Sequence, residues 1–141
     1  MTSVLQAQNK IHNSTKMRLF ALHNGVFGAV ALWVIEVHVL GIDLVYRFGN
    51  GSATTLGVFQ IVGVSLLFSL LGWVVLSLLE KRSARGASLW TVIATLVLVA
   101  SFALPIMAAT TTAGVVSLIV MHLAVGAGYI PFMYRSAVAA R

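Results

Sequence analysis

Four long apolar runs alternate with short polar segments along the chain. The runs cover about residues 19–42, 55–79, 88–108 and 114–133. A helix needs about 20 residues to cross the hydrocarbon core of a bilayer, and each run reaches that length. Lipid offers no hydrogen bonds, so a spanning segment must satisfy its own backbone as a helix. The pattern predicts an all-α integral membrane protein with four transmembrane helices.

The polar segments divide the chain into three parts. Residues 1–16 form a polar N-terminal segment, 17–135 the four-span transmembrane domain, and 136–141 a short basic tail. The N-terminal segment is expected to be a short interfacial turn or disordered, with a helix cap at Asn13, Ser14 or Thr15 ahead of the first run. Between the first two runs, Asn50-Gly51 predicts a tight turn.

Composition excludes several classes of protein. Sixty per cent of the 141 residues are hydrophobic, 9% are charged, and the mean hydropathy is +1.00, whereas soluble domains carry about 25% charged residues. A water-soluble enzyme, a nucleic-acid-binding module and a disordered chain are excluded, and the lipid bilayer is the expected partner. The absence of cysteine excludes disulfides, thiolate catalysis and cysteine-ligated zinc.

Basic residues predict the orientation of the spans. Of nine Lys and Arg residues, Arg47 stands alone after the first run. The other eight lie before the first run, in the 80–86 loop or after the fourth run: Lys10, Lys16, Arg18, Lys81, Arg82, Arg85, Arg135 and Arg141. Cytoplasmic loops are enriched in Lys and Arg. With short links between spans, this bias predicts an antiparallel up-down-up-down four-helix bundle in a bacterial plasma membrane, with both termini cytoplasmic.

A set of motifs over about residues 40–135 resembles a known family. Gly-Trp closes the second span, a Leu-Leu-Glu-Arg-like basic loop follows, Trp-Thr opens the third span, and Met-His-Leu lies in the fourth. The matching positions are Gly72, Trp73, Glu80, Lys81, Arg82, Trp90, Thr91, Ser101, Pro105, His122 and Pro131. This pattern is similar to small actinobacterial four-span membrane proteins classed as a domain of unknown function. The resemblance implies the four-span fold and a bacterial plasma membrane, and no activity.

Polar and ionisable side chains inside the apolar runs are the candidates for function, because such groups are costly in a bilayer. The candidates for catalysis are Glu36, His38 and His122. Those for ligand binding are Gln60, Ser101, Trp73 and His23. With the predicted orientation, Glu36, His38, Gln60 and Ser101 lie in the outer half of the bundle, and His122 lies near mid-depth. These residues predict a polar site in the outer half.

Glu36 is the most informative of these residues. Residues i and i+2 lie about 200° apart around a helix, so Glu36 and His38 cannot point at one spot, and we expect Glu36 to face inward. Three interpretations stay open. In the first, Glu36 is a structural carboxyl that is neutral or hydrogen-bonded to Gln60, Trp73 or a histidine. In the second, it is a proton carrier or general acid. In the third, it is the counter-ion to a cationic ligand.

No metal or cofactor is expected. His23 and His38 lie about 22 Å apart along one helix and cannot bind one ion. A haem held by His122 with either His23 or His38 is the remaining option, and ordinary interhelical hydrogen bonding is favoured over it. Stripes of small residues at Ala21, Gly25 and Ala29, and at Ala124 and Gly128, predict close helix packing inside the bundle or between copies.

Three functions from different classes follow. The favoured one is binding or transport of a lipophilic or amphipathic small molecule, in which transport would need a homo-oligomer. The alternative is a membrane-embedded isomerase, cyclase or hydrolase that uses Glu36 as general acid or base on a lipid-soluble substrate. The third is an accessory subunit of a larger membrane complex.

Overall fold

The computed structural model describes residues 2–140, of which the side chains of residues 2–7 and 10 are not described. Helices dominate the fold, and the only sheet within this part of the chain is a two-stranded ribbon. The elements are α1 (Thr2–Val34), a π-helical turn (Ile35–Val39), β1 (Val45–Tyr46), β2 (Thr54–Thr55), α2 (Val58–Arg82), α3 (Gly86–Ser101), α4 (Ala103–Ala108) and α5 (Thr112–Ala139).

Four helical segments are long and apolar enough to cross a membrane, as predicted. They run over Ile11–Val39, Val58–Arg82, Gly86–Ala108 and Thr112–Ala139. Apolar side chains such as Phe59, Val92 and Met107 are exposed on them, as expected of surfaces that face lipid. These features identify a multi-pass membrane protein.

The start of α1 differs from the prediction. The helix begins at Thr2 and continues through Asn13, Ser14 and Thr15, so the expected cap at these residues is wrong. A helix that has already formed extends at little cost, and Gln6, Ala7 and Gln8 favour its extension. The hydroxyl of Ser14 instead donates to the carbonyl of Ser136 at 3.0 Å.

The third span contains a break about two turns from its end. Helix α3 stops at Ser101 and α4 begins at Ala103. Pro105 has no N–H to donate to the carbonyl of Ser101, four residues earlier, and this missing bond accounts for the break. The predicted short link between the third and fourth spans is present, and the side chain of Thr111 caps α5 by accepting from Gly114 N at 3.0 Å.

Two buried clusters hold the helices together. The first, with its centre at Trp90, comprises Ala21, Leu76, Ala87, Trp90, Tyr129, Met133 and Ala137. The second comprises Ala29, Leu44, Ile61 and Met121. Ala21, Gly25 and Ala29 are all buried, and a Cβ built on Gly128 would lie 3.3 Å from the carbonyl oxygen of Asn24. The small-residue stripes therefore form a packing seam between α1 and α5 inside the molecule.

Residues 40–57, here called the cap, connect the first two spans as an ordered segment. Strands β1 and β2 pair antiparallel, with Val45 opposite Thr55 and Tyr46 opposite Thr54. The predicted tight turn lies one residue earlier than expected: Gly51 N donates to Phe48 O at 3.0 Å, and Gly49 has φ +53°. The buried side chain of Leu44 anchors the cap in the second cluster.

Hydrogen bonds also fasten the cap to the link between α4 and α5. The amide of Arg47 donates to Ala108 O at 2.8 Å, and that of Thr110 donates to Val45 O at 3.0 Å. The indole of Trp33 on α1 donates to Leu56 O at 3.1 Å. The cap and the α4–α5 link thus join the ends of all four spans at one end of the molecule.

Candidate functional site

Glu36 lies in the π-helical turn at the end of the first span, and its side chain is buried with 5% of its surface exposed. Its Oε2 atom has no hydrogen-bond partner among the described residues. A buried polar atom left unpaired costs about 1–3 kcal/mol. Glu36 is therefore an expensive group that the bundle itself does not satisfy.

The backbone around Glu36 explains its placement. The amide of Leu40 donates to Ile35 O at 2.9 Å, the five-residue spacing of a π-helix. Gly41 then adopts φ +66°, a left-handed conformation that ends the helix, and Ile42 N donates to Glu36 O at 2.8 Å. Only the backbone carbonyl of Glu36 is thereby satisfied. π-Helical turns within longer helices are frequent at functional sites.

The structure places His38 and Gln60 apart from the carboxyl of Glu36. His38 is exposed, and its ring meets the indole of Trp33 edge-on at 5.0 Å between centroids. Gln60 is also exposed: its Oε1 accepts from Gly57 N at 2.6 Å at the start of α2, and its Nε2 donates to the Tyr46 hydroxyl at 3.3 Å. Glu36 is buried and His38 is exposed, so the two side chains do not point at one spot, as expected from their spacing.

His122 and Ser101 are satisfied within their own helices. Nδ1 of His122 lies 2.6 Å from Leu118 O, and because a carbonyl only accepts, this nitrogen carries the proton. The His122 ring also meets Phe102 edge-on at 6.4 Å. The hydroxyl of Ser101 donates to Leu98 O at 2.6 Å. Neither bond connects these residues to Glu36.

Trp73 and His23 lie toward the opposite end of the spans from Glu36. Trp73 packs, half-buried, against the cluster around Trp90. His23 is exposed and stacks on Phe27 at 5.9 Å. It precedes Glu36 by 13 residues, or about 20 Å along the helix. The seven predicted site residues are thus distributed over the bundle, and Glu36 is the one with an unsatisfied buried atom.

A polar network that was not predicted from the sequence lies at this opposite end, here called the basic end. Nη2 of Arg18 donates to both carboxylate oxygens of Glu80, at 2.7 and 2.8 Å. Its Nη1 and Nε donate to the hydroxyls of Ser77 and Ser136, at 3.1 and 3.2 Å. The side chains of Arg18 and Glu80 are 10% and 22% exposed. The network joins α1, α2 and α5.

A signal for this network is present in the sequence. Ser14 and Arg18 are four residues apart, and Ser77 and Glu80 are three apart, so each pair lies on one helical face. Glu80 is also the one acidic residue among the basic residues of the 80–86 loop. The orientation of the spans was predicted from the number of charged residues on each side, and such a count does not show that Arg18 and Glu80 form a pair.

Residues that could hold a metal do not converge within the described part of the chain. No three His, Asp or Glu side chains gather there. An open depression lies between the cap and the α4–α5 link, lined by Arg47, Gly49, Met107, Ala108, Ala109 and Thr110. It contains none of the predicted site residues, so the candidate site is defined by the buried carboxyl of Glu36.

Comparison with known proteins identifies the family. A family model described as "Family of unknown function (DUF6069)" matches residues 10–139, so the chain belongs to this family. The match includes all four apolar helices and confirms the resemblance to a family of unknown function. No curated protein and no solved structure matches the chain.

Proposed function

We propose that this member of the family binds a lipophilic or amphipathic small molecule at an intramembrane site formed around Glu36. The observation that carries the proposal is the buried Oε2 atom of Glu36, which has no hydrogen-bond partner among the described residues. Buried polar groups in folded proteins are almost always paired. A ligand with a hydrogen-bond donor would supply the missing partner.

The surroundings of Glu36 suit a ligand that is mostly apolar. Its neighbours in the chain, Ile35, Val39 and Leu40, are apolar and between 45% and 72% exposed. In a membrane these side chains would contact lipid tails. A hydrocarbon group lying along them would place its polar end near the carboxyl.

We further propose the up-down-up-down topology with both termini in the cytoplasm of a bacterial cell. The charge bias of eight basic residues against one supports it. So do the bonds from Arg18 near the start of the first span to Glu80 and Ser136 at the ends of the second and fourth. The cap would then face outward, and Glu36 would lie in the outer half of the membrane.

Binding is favoured over catalysis by the contacts of the histidines. A general acid or base needs a second group to orient it or to stabilise charge. His38 contacts Trp33, and His122 bonds to Leu118 in its own helix. Transport remains part of the proposal, and because four helices enclose little space, we expect it to require a homo-oligomer.

Native mass spectrometry of the protein released from nanodiscs, with an absorption spectrum of the same sample, tests this function. The wild type is compared with Glu36→Met, which lacks an oxygen acceptor, and with Asp43→Asn, in which an exposed carboxylate seven residues further along is neutralised. We expect a bound lipophilic molecule in the wild type and in Asp43→Asn, and less than about a tenth of it in Glu36→Met.

Two results would count against the proposal. Equal ligand occupancy in all three proteins would remove Glu36 from the site. An empty wild type, in discs prepared with the lipid extract of the source cells, would contradict ligand binding and favour the accessory-subunit function. A multimer in the same spectra would support transport.

A further inference from the structure

The chemistry around Glu36 narrows the class of ligand, an inference that rests on the proposed function. We propose that the ligand is an amphipathic ammonium compound, a protonated amine attached to a hydrocarbon group. Its N–H would donate to the carboxylate of Glu36, and its hydrocarbon group would lie along the exposed apolar side chains of Ile35, Val39 and Leu40.

Glu36 has no counter-ion among the described residues. The salt bridge that these residues form joins Arg18 to Glu80 at the basic end, and none of them forms one with Glu36. A buried carboxylate is stable only when it is paired and hydrogen-bonded. An ammonium group provides the opposite charge and the donor together, and charge-assisted hydrogen bonds are about twice as strong as neutral ones.

The end of the molecule at which Glu36 lies also carries little positive charge. Between residues 36 and 57 the chain has two acidic residues, Glu36 and Asp43, and one basic residue, Arg47. Arg47 is exposed, and its backbone amide donates to the carbonyl of Ala108 at the end of α4. The basic end carries an excess of positive charge, so a cation is favoured at the Glu36 end.

The unpaired group of Glu36 is an acceptor, which restricts the polar group of the ligand. An ionised carboxylate only accepts and needs a donor, which favours a ligand with an N–H over one whose polar group only accepts, and the charge disfavours anionic lipids. A quaternary ammonium carries the charge and lacks an N–H. A primary ammonium is therefore expected to bind more tightly than a quaternary one with the same hydrocarbon chain.

Three probes with one hydrocarbon chain separate these contributions: decylammonium, decyltrimethylammonium and decanol. Each is titrated into nanodiscs that contain the full-length protein, and occupancy is measured by native mass spectrometry. For the wild type we expect decylammonium to bind at least about tenfold more tightly than decanol, and decyltrimethylammonium to lie between them.

Two variants assign that preference to a residue. Glu36→Gln keeps the size of the side chain and removes its charge, and we expect decylammonium and decanol to differ by less than about threefold in it. Asp43→Asn removes an exposed carboxylate from the same end and should keep the wild-type preference. A preference that survives in Glu36→Gln, or that is lost in Asp43→Asn, would overturn the assignment.

Different experimental results would overturn the ammonium class and the proposed function. Saturable, Glu36-dependent binding of decanol and decylammonium with equal affinity would overturn the ammonium class and keep the site. If none of the probes saturates, the ammonium class is overturned, and the occupancy of the wild type by its own co-purified ligand still decides the proposed function.

Discussion

At the scale of single residues, Glu36 is a group whose removal should stabilise the protein. Its buried oxygen has no partner among the described residues, so an apolar side chain of similar length loses no hydrogen bond and avoids the cost of desolvation. We expect Glu36→Met to raise the free energy of unfolding by about 1–3 kcal/mol, measured by reversible denaturation in mixed micelles. Asp43→Asn, at an exposed position, should stay within about 0.5 kcal/mol of the wild type. A less stable Glu36→Met would mean that the carboxyl has a structural role.

Removal of the Arg18 side chain should, in contrast, lower the free energy of unfolding. Arg18 donates four hydrogen bonds to residues of α2 and α5, and its removal leaves the carboxylate of Glu80 without a partner. Breaking a buried ion pair costs about 3–5 kcal/mol, and since Glu80 is partly exposed we expect about 2–3 kcal/mol for Arg18→Met. Arg82→Met, at an exposed position at the end of α2, is the matched control. Equal stability of the two variants would contradict a structural role for the network.

An inward-facing Glu36 was expected because an ionisable group costs more in lipid than inside the bundle. The same argument applies to His38, which is exposed, so the sequence did not decide which of the two faces the bundle. The pairing of the other polar groups was not predictable. Ser101 and His122 bond to their own helices, and spacing alone does not distinguish this from a bond to a neighbour. The Arg18–Glu80 pair depends on the rotation of α1 relative to α2, which only the packed bundle defines.

At the scale of elements, the turn between α2 and α3 requires a residue without a side chain. A Cβ on Gly86 would lie 2.7 Å from the backbone of Leu79 and 2.8 Å from Glu80 N, closer than packed atoms approach. We expect Gly86→Ala to destabilise the protein by about 1–3 kcal/mol, because α3 must move away from α2. Gly28→Ala is the control: a Cβ there meets nothing within 4 Å, and better helix propensity should leave stability unchanged or slightly raised. Similar effects at both positions would show that close packing at Gly86 is not the cause.

The cap offers a second element-scale prediction. Tyr46 and Ala109 form an isolated antiparallel bridge, flanked by the bonds from Arg47 to Ala108 and from Thr110 to Val45. Such a non-hydrogen-bonded pair has Cα atoms about 4.5 Å apart, within the range of a disulfide. In the cysteine-free chain, Tyr46→Cys with Ala109→Cys should therefore oxidise to one intramolecular disulfide, detected by mass spectrometry. The control pair, Tyr46→Cys with Thr112→Cys, should not form a disulfide.

The same disulfide tests whether ligands reach Glu36 past the cap. If they do, the oxidised protein should exchange its ligand at least about tenfold more slowly than the reduced protein, and reduction should restore the rate.

The helices were predictable because lipid requires every apolar run to satisfy its own backbone. Their ends were less so. The first span closes at Val39 through Gly41, short of Ile42, because Gly41 adopts a left-handed conformation that ends the helix. The cap was predicted as a loop with one turn, since its two-residue strands are stabilised by pairing and by the α4–α5 link, neither of which is a local signal.

At the scale of the whole molecule, the number of spans followed from hydropathy, while the neighbours of each helix did not. Helix α1 packs on α5 along the seam at Gly25 and Gly128. The stripes of small residues alone had indicated either packing inside the bundle or packing between copies. The network of Arg18 and the cluster around Trp90 hold the basic end together, and the cap holds the other end. Glu36 lies at the second end, apart from the polar bonds of the first.

The proposed site depends on which end of the molecule faces outward, and this can be measured directly. Because the chain has no cysteine, Ser52→Cys in the cap and Ala84→Cys between α2 and α3 each introduce a single thiol at an exposed position. If basic residues keep their ends in the cytoplasm, a membrane-impermeant maleimide should label Ser52→Cys in intact spheroplasts and Ala84→Cys only after permeabilisation. The cysteine-free parent should stay unlabelled. The reverse pattern would place Glu36 in the cytoplasmic half of the membrane, where its ligand would arrive from inside the cell.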